Sequence, residues 1–203
     1  MMGPVYVITD PDAPLPVAEQ VLAAARGGAG AIQIRDKSAS DDALAALVQR
    51  LLPEVAALGA RLVLNDRVEV ALATGAHGLH IGQGDGDPVA IRARMPKGMI
   101  LGLSIETEAQ ARRIPWGVDY IGAGPVRATA TKPDHAAPVG FDGLGGIVAA
   151  AGLPAYAIGG IGPGDAAAVK AAGCIGLAVV SAVVRASDPE AATRDLMAEW
   201  GRT

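Results

Sequence analysis

Polar side chains with useful chemistry follow several short apolar runs of this sequence, at the points where those runs end. They are Gln33, Arg35, Asp36 and Lys37 at the second run, Asn65, Asp66 and Arg67 at the third, Gln83 and Asp85 at the fourth, Ser104 at the fifth, and Thr129, Thr131 and Lys132 after the sixth. Surface polarity scattered at random would not select these positions repeatedly. If the runs are parallel strands of one barrel, their carboxyl ends face one mouth, and these residues form one site there.

Charge indicates what that site binds. Arg35, Lys37 and Lys132 would converge on the mouth, and mutually repelling cations persist where an anion binds, because they pair with phosphate oxygens. Asp66 and Asp85 end neighbouring runs. Two carboxylates beside a polyphosphate are typical of a Mg²⁺ site, since Mg²⁺ takes few carboxylates together with substrate phosphates and waters. The alternative interpretation is a network of Arg–Asp salt bridges around the rim.

Glycine indicates a second anion site. The seventh run ends in AIGGI, residues 157–161, and the eighth ends in VVSA, residues 179–182. Loops after strands 7 and 8 commonly bind phosphate in eight-stranded barrels, where backbone N–H groups face the anion. Gly160 permits close approach of the backbone, and Ser181 adds a hydroxyl. A site made mostly of backbone suits a monophosphate, whereas the cationic site suits a diphosphate.

The elements that would position these residues alternate regularly along the 203-residue chain. The predicted strands are residues 4–10, 31–35, 61–65, 78–82, 99–104, 120–126, 155–159 and 176–181. The predicted helices are residues 16–25, 41–57, 68–73, a segment opened by Pro88, 107–113, 144–150, 165–171 and 189–200. Ser40 is the predicted N-cap of the second helix. This pattern favours a single α/β domain over residues 1–203, a (β/α)₈ TIM barrel, with an open doubly wound sheet as the alternative.

Composition narrows the classes of function. The net charge is −4, no Lys/Arg run is present, and aromatic residues make up 3%, so nucleic acid is not an expected partner. The hydrophobic fraction is 51%, and the scarcity of aromatics predicts a core of Ala, Val, Leu and Ile. No run is apolar enough to span a membrane, and the single cysteine, Cys174, suits a reducing compartment. We therefore expect a cytoplasmic protein with small-molecule partners. The sequence does not decide whether it forms a homo-oligomer.

Several motifs resemble one family in order and spacing. They are YVITD, QIRDK, LNDRVEVAL, GLHIGQGD, ILGLS, DYIGAGPV, TATK, AIGGI and LAVVSAV, and they extend from Tyr6 to Val183. Together they resemble thiamine phosphate synthase, a magnesium-dependent transferase of thiamine biosynthesis with a TIM barrel fold. QIRDK, the pairing of ND with GQGD, and TATK are the specific elements. GPV and IGGI are shared more widely among phosphate-binding barrels.

The resemblance assigns roles to individual residues. It implies that a pyrimidine methyl diphosphate is bound by Gln33, Ile34, Arg35, Asp36, Lys37, Asn65, Ser104 and Lys132. It implies that a thiazole ethyl phosphate is bound by Thr129, Ala130, Thr131, Gly160, Val180 and Ser181. Asp66 and Asp85 become Mg²⁺ ligands, and Arg35, Ser104 and Lys132 become the catalytic residues.

The implied reaction needs electrostatics more than proton transfer. Diphosphate leaves the pyrimidine methylene carbon, a stabilised cation remains, and the thiazole nitrogen captures it. Three positions depart from the family pattern. Arg127-Ala128 stands where Phe-Pro is usual, Gly84 stands where an acidic residue is common, and Ile105-Glu106 is an unusual pair after Ser104. These departures leave open the shape of the loop after strand 6.

Rival functions remain at this point. A thiazole tautomerase would share the barrel but needs a histidine that transfers protons, and Pro125 occupies the place where it is expected. His80 lies inside the fourth run, where a structural role is the simpler interpretation. A phosphate-binding protein without activity would not need Asp66 and Asp85 in addition to the cations. Another phosphosugar barrel enzyme would lack the combination of QIRDK and TATK.

The connection over residues 127–141 is the longest in the predicted barrel. Long loops at the catalytic face are often lids, and this one carries Lys132, with Gly140 as a candidate hinge. We expect it to close over the substrates and exclude the water that would otherwise capture the cation.

Overall fold

A computed structural model describes residues 2–129 and 136–203 of the protein. The strands are β1 Val5–Ile8, β2 Ala31–Ile34, β3 Arg61–Asn65, β4 Gly78–Ile81, β5 Ile100–Ile105, β6 Tyr120–Ala123, β7 Ala155–Ala157 and β8 Gly176–Val179. The helices are α1 Val17–Arg26, α2 Asp41–Ala57, α3 Val68–Thr74, α4 Pro88–Arg94, α5 Glu108–Ala111, α6 Gly140–Ala151, α7 Ala166–Ala171, α8 Ser181–Val184 and α9 Pro189–Arg202.

The strands form a closed parallel barrel in chain order, which confirms the predicted TIM barrel and excludes the open sheet. β1 closes the barrel by pairing with both β2 and β8, so that Val7 lies opposite Ile32 on one side and Val179 on the other. Each strand is followed by at least one helix on the outside. All eight carboxyl ends therefore face one mouth, as the position of the polar residues requires.

Two apolar layers hold the barrel together. The layer between strands and helices consists mainly of Val, Leu, Ile and Ala, as composition predicts. The barrel interior differs, because all three tyrosines of the chain point into it and pack edge to face. The ring centroids of Tyr6 lie 5.5 Å from those of Tyr156 and 6.0 Å from those of Tyr120. The predicted core of Ala, Val, Leu and Ile thus describes the outer layer, whereas in the interior the three tyrosines fill much of the space.

Local signals set several helix starts. Ser40 caps α2 as predicted, because its side chain accepts a hydrogen bond from the Ala43 N–H at 3.3 Å. Asp87 and Pro88 open α4 in the same way. Cys174 is buried near the start of β8, and its pKa is raised to about 12 by that burial, so the thiol acts as a small apolar side chain. In the described ranges, the helices are too short or too polar to cross a membrane.

Candidate active site

The barrel mouth holds a cavity of about 460 Å³ at the carboxyl ends of the strands. Most of the predicted site residues line it, namely Gln33, Arg35, Lys37, Asn65, Asp66, Asp85, Ser104, Thr129, Gly160, Val180 and Ser181. Ala130, Thr131 and Lys132 lie outside the described residues. Residues from several strands thus converge on one cavity, the arrangement expected of a small-molecule binding site.

Two predicted residues do not line the cavity. The Ile34 side chain is 1% exposed and belongs to the apolar layer between strands and helices. Strand alternation explains this position, because Gln33 points inward and its neighbour must point outward. Asp36 accepts hydrogen bonds from the Ser38 N–H at 2.9 Å and from the Ala39 N–H at 3.0 Å. Its side chain therefore shapes the loop that presents Arg35 and Lys37.

The cationic part of the cavity is anchored to neighbouring strands. The Arg35 N–H donates to Thr9 Oγ1 at 3.0 Å, which ties the end of β2 to the end of β1. Arg67 donates to the Lys37 carbonyl at 3.1 Å and to Asp41 Oδ1 at 3.1 Å. Arg67 thus holds the loop after β2 from outside, and it leaves the side chains of Arg35 and Lys37 to face the cavity.

Asp66 and Asp85 stand at the ends of β3 and β4. Asp66 has a φ of 52°, an uncommon backbone conformation for a residue with a side chain, and it donates its N–H to the His80 carbonyl at 2.9 Å. Asp85 Oδ2 accepts the Gly82 N–H at 2.7 Å. Burial and the negative charge of Asp85 raise the pKa of Asp66 above its ordinary value. Uncommon backbone geometry and mutually repelling carboxylates are features that cluster at functional sites.

This pair fits a Mg²⁺ ion shared with substrate phosphates. The described residues contain no group of three or more His, Cys, Asp or Glu side chains placed to hold a metal. Mg²⁺ needs no such group, because one or two carboxylates, phosphate oxygens and waters complete its coordination. A divalent cation between Asp66 and Asp85 would also neutralise the repulsion that raises the pKa of Asp66.

The glycine-rich part of the cavity lies opposite. Gly159 and Gly160 have positive φ angles of 91° and 65°, so the loop after β7 turns in a conformation that side chains disfavour. Asp165 accepts the Gly162 N–H at 3.0 Å and pairs with Arg127 through two hydrogen bonds of 2.7 and 2.8 Å. Arg127 also donates to the Gly160 carbonyl at 2.9 Å. The loop that would face a phosphate is therefore held from behind, with its carbonyl turned towards Arg127.

Hydrogen bonds also cross the barrel beneath the cavity. His80 contacts Ser104 Oγ at 3.0 Å through Nε2 and Tyr120 Oη at 3.0 Å through Nδ1. Burial lowers the pKa of His80 to about 4, so the ring is neutral near pH 7. The predicted structural role of His80 agrees with this burial, although its contact with Ser104 also connects it to the site.

Comparison with known proteins shows to which family this protein belongs. Residues 5–183 match the family described as thiamine monophosphate synthase. The chain belongs to the thiamine monophosphate synthase family. It is 46% identical over 197 residues to a thiamine-phosphate synthase of Roseiflexus castenholzii, covering 96% of this chain and 86% of that protein. It is 43% identical over 205 residues to the Laribacter hongkongensis thiamine-phosphate synthase, covering 98% and 96%.

A solved structure agrees with the sequence relatives. Thiamine phosphate pyrophosphorylase from Pyrococcus furiosus superposes with a TM-score of 0.89 at 34% identity, covering 98% of this chain and 96% of that one. The resemblance inferred from the motifs is thereby confirmed at the level of family and fold. The identities of the residues that bind substrate in this member of the thiamine monophosphate synthase family stay predictions.

Several cavity residues of this family member were not predicted as site residues, among them two polar residues after β1. Thr9 and Asp10 follow β1 and line the mouth, so the rule that polar residues at strand ends mark the site would have found them in YVITD. Asp10 pairs with Arg185 at 2.7 Å, which links the end of β1 to the segment after α8. The departure at Arg127 has a structural explanation in its pairing with Asp165, a contact that the usual phenylalanine could not make.

Proposed function

We propose that the protein is a thiamine phosphate synthase, a transferase that joins a pyrimidine methyl diphosphate to a thiazole ethyl phosphate, giving thiamine phosphate and diphosphate. The observation that carries this proposal is the division of one cavity between two kinds of anion site. Arg35 and Lys37 face it beside two carboxylates, whereas Gly160 and Ser181 face it from the other side. A diphosphate suits the first half and a monophosphate suits the second.

Asp66 and Asp85 would hold the Mg²⁺ ion of this reaction. When bound, the ion would supply positive charge to the diphosphate oxygens as that group departs. The cations then have a specific task, which is to neutralise the charge that develops on the leaving group. Arg35 and Lys37 line the cavity beside these carboxylates, which supports this task, and we assign Lys132 to the same task from the sequence.

The reaction divides into two bond changes. The bond between the pyrimidine methylene carbon and the diphosphate oxygen breaks, and its electron pair leaves with the diphosphate. The lone pair of the thiazole nitrogen then forms the new carbon–nitrogen bond. No proton moves in either step, so the cavity needs no general base, and its work is to orient the two substrates and exclude water.

The rival functions fit these observations less well. A tautomerase needs a histidine that can exchange protons with substrate. Among the described residues, the histidine that lines the cavity is His80, and both of its ring nitrogens already have hydrogen-bond partners. A binding protein without activity gives no reason for two repelling carboxylates beside a phosphate site. Cytoplasmic location stays a prediction from the sequence.

Replacing Gly160 by alanine is expected to lower the affinity for the thiazole phosphate about fivefold, because one hydrogen bond from the backbone is lost. A Cβ at this position would lie 2.7 Å from Arg127 Cβ, and φ is positive, so the loop must shift. Pyrimidine diphosphate, bound opposite, should keep its affinity within twofold. Calorimetric titration of each substrate measures the difference.

Gly162→Ala is the control, since a Cβ there meets only Ala182 Cβ at an ordinary 3.5 Å. It should leave both affinities unchanged. Equal weakening of both substrates in the Gly160→Ala protein would count against two separate anion sites.

The proposed function itself is tested by products. Purified protein with both substrates and Mg²⁺ should give thiamine phosphate, identified by mass. Conversion of the thiazole phosphate alone into an isomer, without any joined product, would support the tautomerase instead.

A further inference from the structure

A chain of hydrogen bonds runs through the barrel interior and joins two residues of the site. Gln33 Nε2 donates to Tyr6 Oη at 2.6 Å, and Tyr6 Oη lies 3.0 Å from Tyr120 Oη. Tyr120 Oη lies 3.0 Å from His80 Nδ1, and His80 Nε2 lies 3.0 Å from Ser104 Oγ. This chain of hydrogen bonds thus begins on β2, continues through β1, β6 and β4, and ends on β5.

The members of this chain are shielded from water. Gln33 and Tyr6 are each 2% exposed, Tyr120 is 3% exposed and His80 is 7% exposed. Space for the chain is made by Gly102 of β5, because a Cβ at that position would collide with the Tyr120 ring and with His80 Nδ1. A buried polar group without a partner is costly, so each proton in the chain has a defined acceptor.

The number of protons available determines the direction in which hydrogen bonds are donated along this chain. Tyr6 Oη accepts from Gln33, so its own proton goes to Tyr120 Oη, the remaining neighbour that can accept it. Tyr120 then donates to His80 Nδ1, which must carry no proton. A neutral imidazole with a bare Nδ1 is protonated on Nε2, and this N–H donates to Ser104 Oγ. The opposite direction would leave the Tyr6 proton buried without an acceptor.

The direction matters because Ser104 stands at the cavity. Since its oxygen accepts from His80, its own proton is left to point towards a ligand. We propose that Tyr6, Tyr120 and His80 are positioning residues that hold Ser104 as a hydrogen-bond donor to an acceptor atom of the bound pyrimidine diphosphate. This inference rests on the proposed function for the identity of the ligand. The polarity of the chain is a property of the free protein.

The polarity can be read directly by NMR. Long-range ¹⁵N–¹H correlation spectra of the free protein should show His80 protonated on Nε2 alone. A His80→Gln variant identifies its signals among those of the three histidines. Protonation of His80 on Nδ1 would overturn the proposal. The tautomer is read from the wild-type protein without substrate, so its result is independent of whether the protein makes thiamine phosphate.

Breaking the chain tests its effect on the reaction. Tyr120→Phe removes the donor to His80 Nδ1, so both tautomers become populated and Ser104 spends part of its time donating to His80. We expect kcat/KM for the pyrimidine diphosphate to fall about fivefold. The KM for the thiazole phosphate should stay within twofold, and the NMR spectrum should show some Nδ1-protonated His80.

Tyr156→Phe is the matched control. It removes a hydroxyl from the same ring cluster, but that hydroxyl donates to the Met2 and Gly3 carbonyls at 3.0 and 3.1 Å and not to the chain. We expect the His80 tautomer and kcat/KM to stay as in the wild type. The proposal would be overturned if both variants lost the same activity while His80 stayed protonated on Nε2 alone. Both tyrosines would then contribute only packing. The wild type and both variants could also form no product while His80 of the wild type is protonated on Nε2. The proposed function would then fail, and the direction of the hydrogen-bond chain would stand.

Discussion

Asp85→Asn is expected to fold normally and to lower kcat/KM by about 100-fold, roughly 2.7 kcal/mol of transition-state stabilisation. Asparagine keeps an oxygen that can accept the Gly82 N–H, so the turn after β4 survives. The negative charge needed beside Mg²⁺ is lost. Initial rates measured across a range of Mg²⁺ concentrations should show a higher Mg²⁺ requirement, and Asp66→Asn should behave alike.

Asp87→Asn is the control for this prediction. It makes the same change of charge two positions further on, at the N-cap of α4, where asparagine caps as well as aspartate. Its rate and Mg²⁺ requirement should match those of the wild type. Normal turnover of Asp85→Asn at limiting Mg²⁺ would contradict the assignment of the metal ligands.

Lys132→Ala is expected to lower kcat by at least about tenfold, or roughly 1.4 kcal/mol. Lys132 lies outside the described residues, so the prediction comes from the TATK motif and from the ends of its loop, which are fixed. Arg127 is bound to Asp165 at one end, and the Gly140 N–H donates to the Val126 carbonyl at 3.0 Å at the other. These contacts fix the two described ends of the connection.

The kinetic pattern distinguishes two roles for Lys132. Stabilisation of charge on the departing diphosphate lowers kcat, whereas uniform binding raises only KM. Lys97→Ala, which removes the same charge from the connection before β5 at the other end of the barrel, should change neither. A Lys132→Ala protein with normal kcat and a raised KM would rule out the catalytic role of Lys132.

The fold followed from the sequence where local signals were strong. Alternating apolar runs and helices predicted all eight strands, because a buried parallel strand is apolar along its whole length. Helix starts were harder. α6 begins at Gly140, earlier than the predicted residue 144, because the glycines in GFDGLGG hide a helix that tertiary contacts stabilise. α8, with 4 residues, is too short to show a helical period.

The part of the site that directly follows the strands could be predicted from the sequence. Polar residues after strands have a fixed place in a barrel, so spacing along the chain was enough to predict Asp66, Asp85 and Gly160 as neighbours of one cavity. The chain through Tyr6, Tyr120 and His80 was not predictable in this way. Its members come from separate strands, and nothing local in the sequence records that their polar atoms meet.

Formation of both products by the purified protein decides whether it is a thiamine phosphate synthase. Purified protein is supplied with Mg²⁺ and both substrates, then with each substrate omitted in turn, and thiamine phosphate and diphosphate are quantified together. We predict that the two products appear at equal rates, that both need both substrates, and that removal of Mg²⁺ with a chelator stops them. Diphosphate released without thiamine phosphate, or no joined product under any condition, would contradict the proposed function.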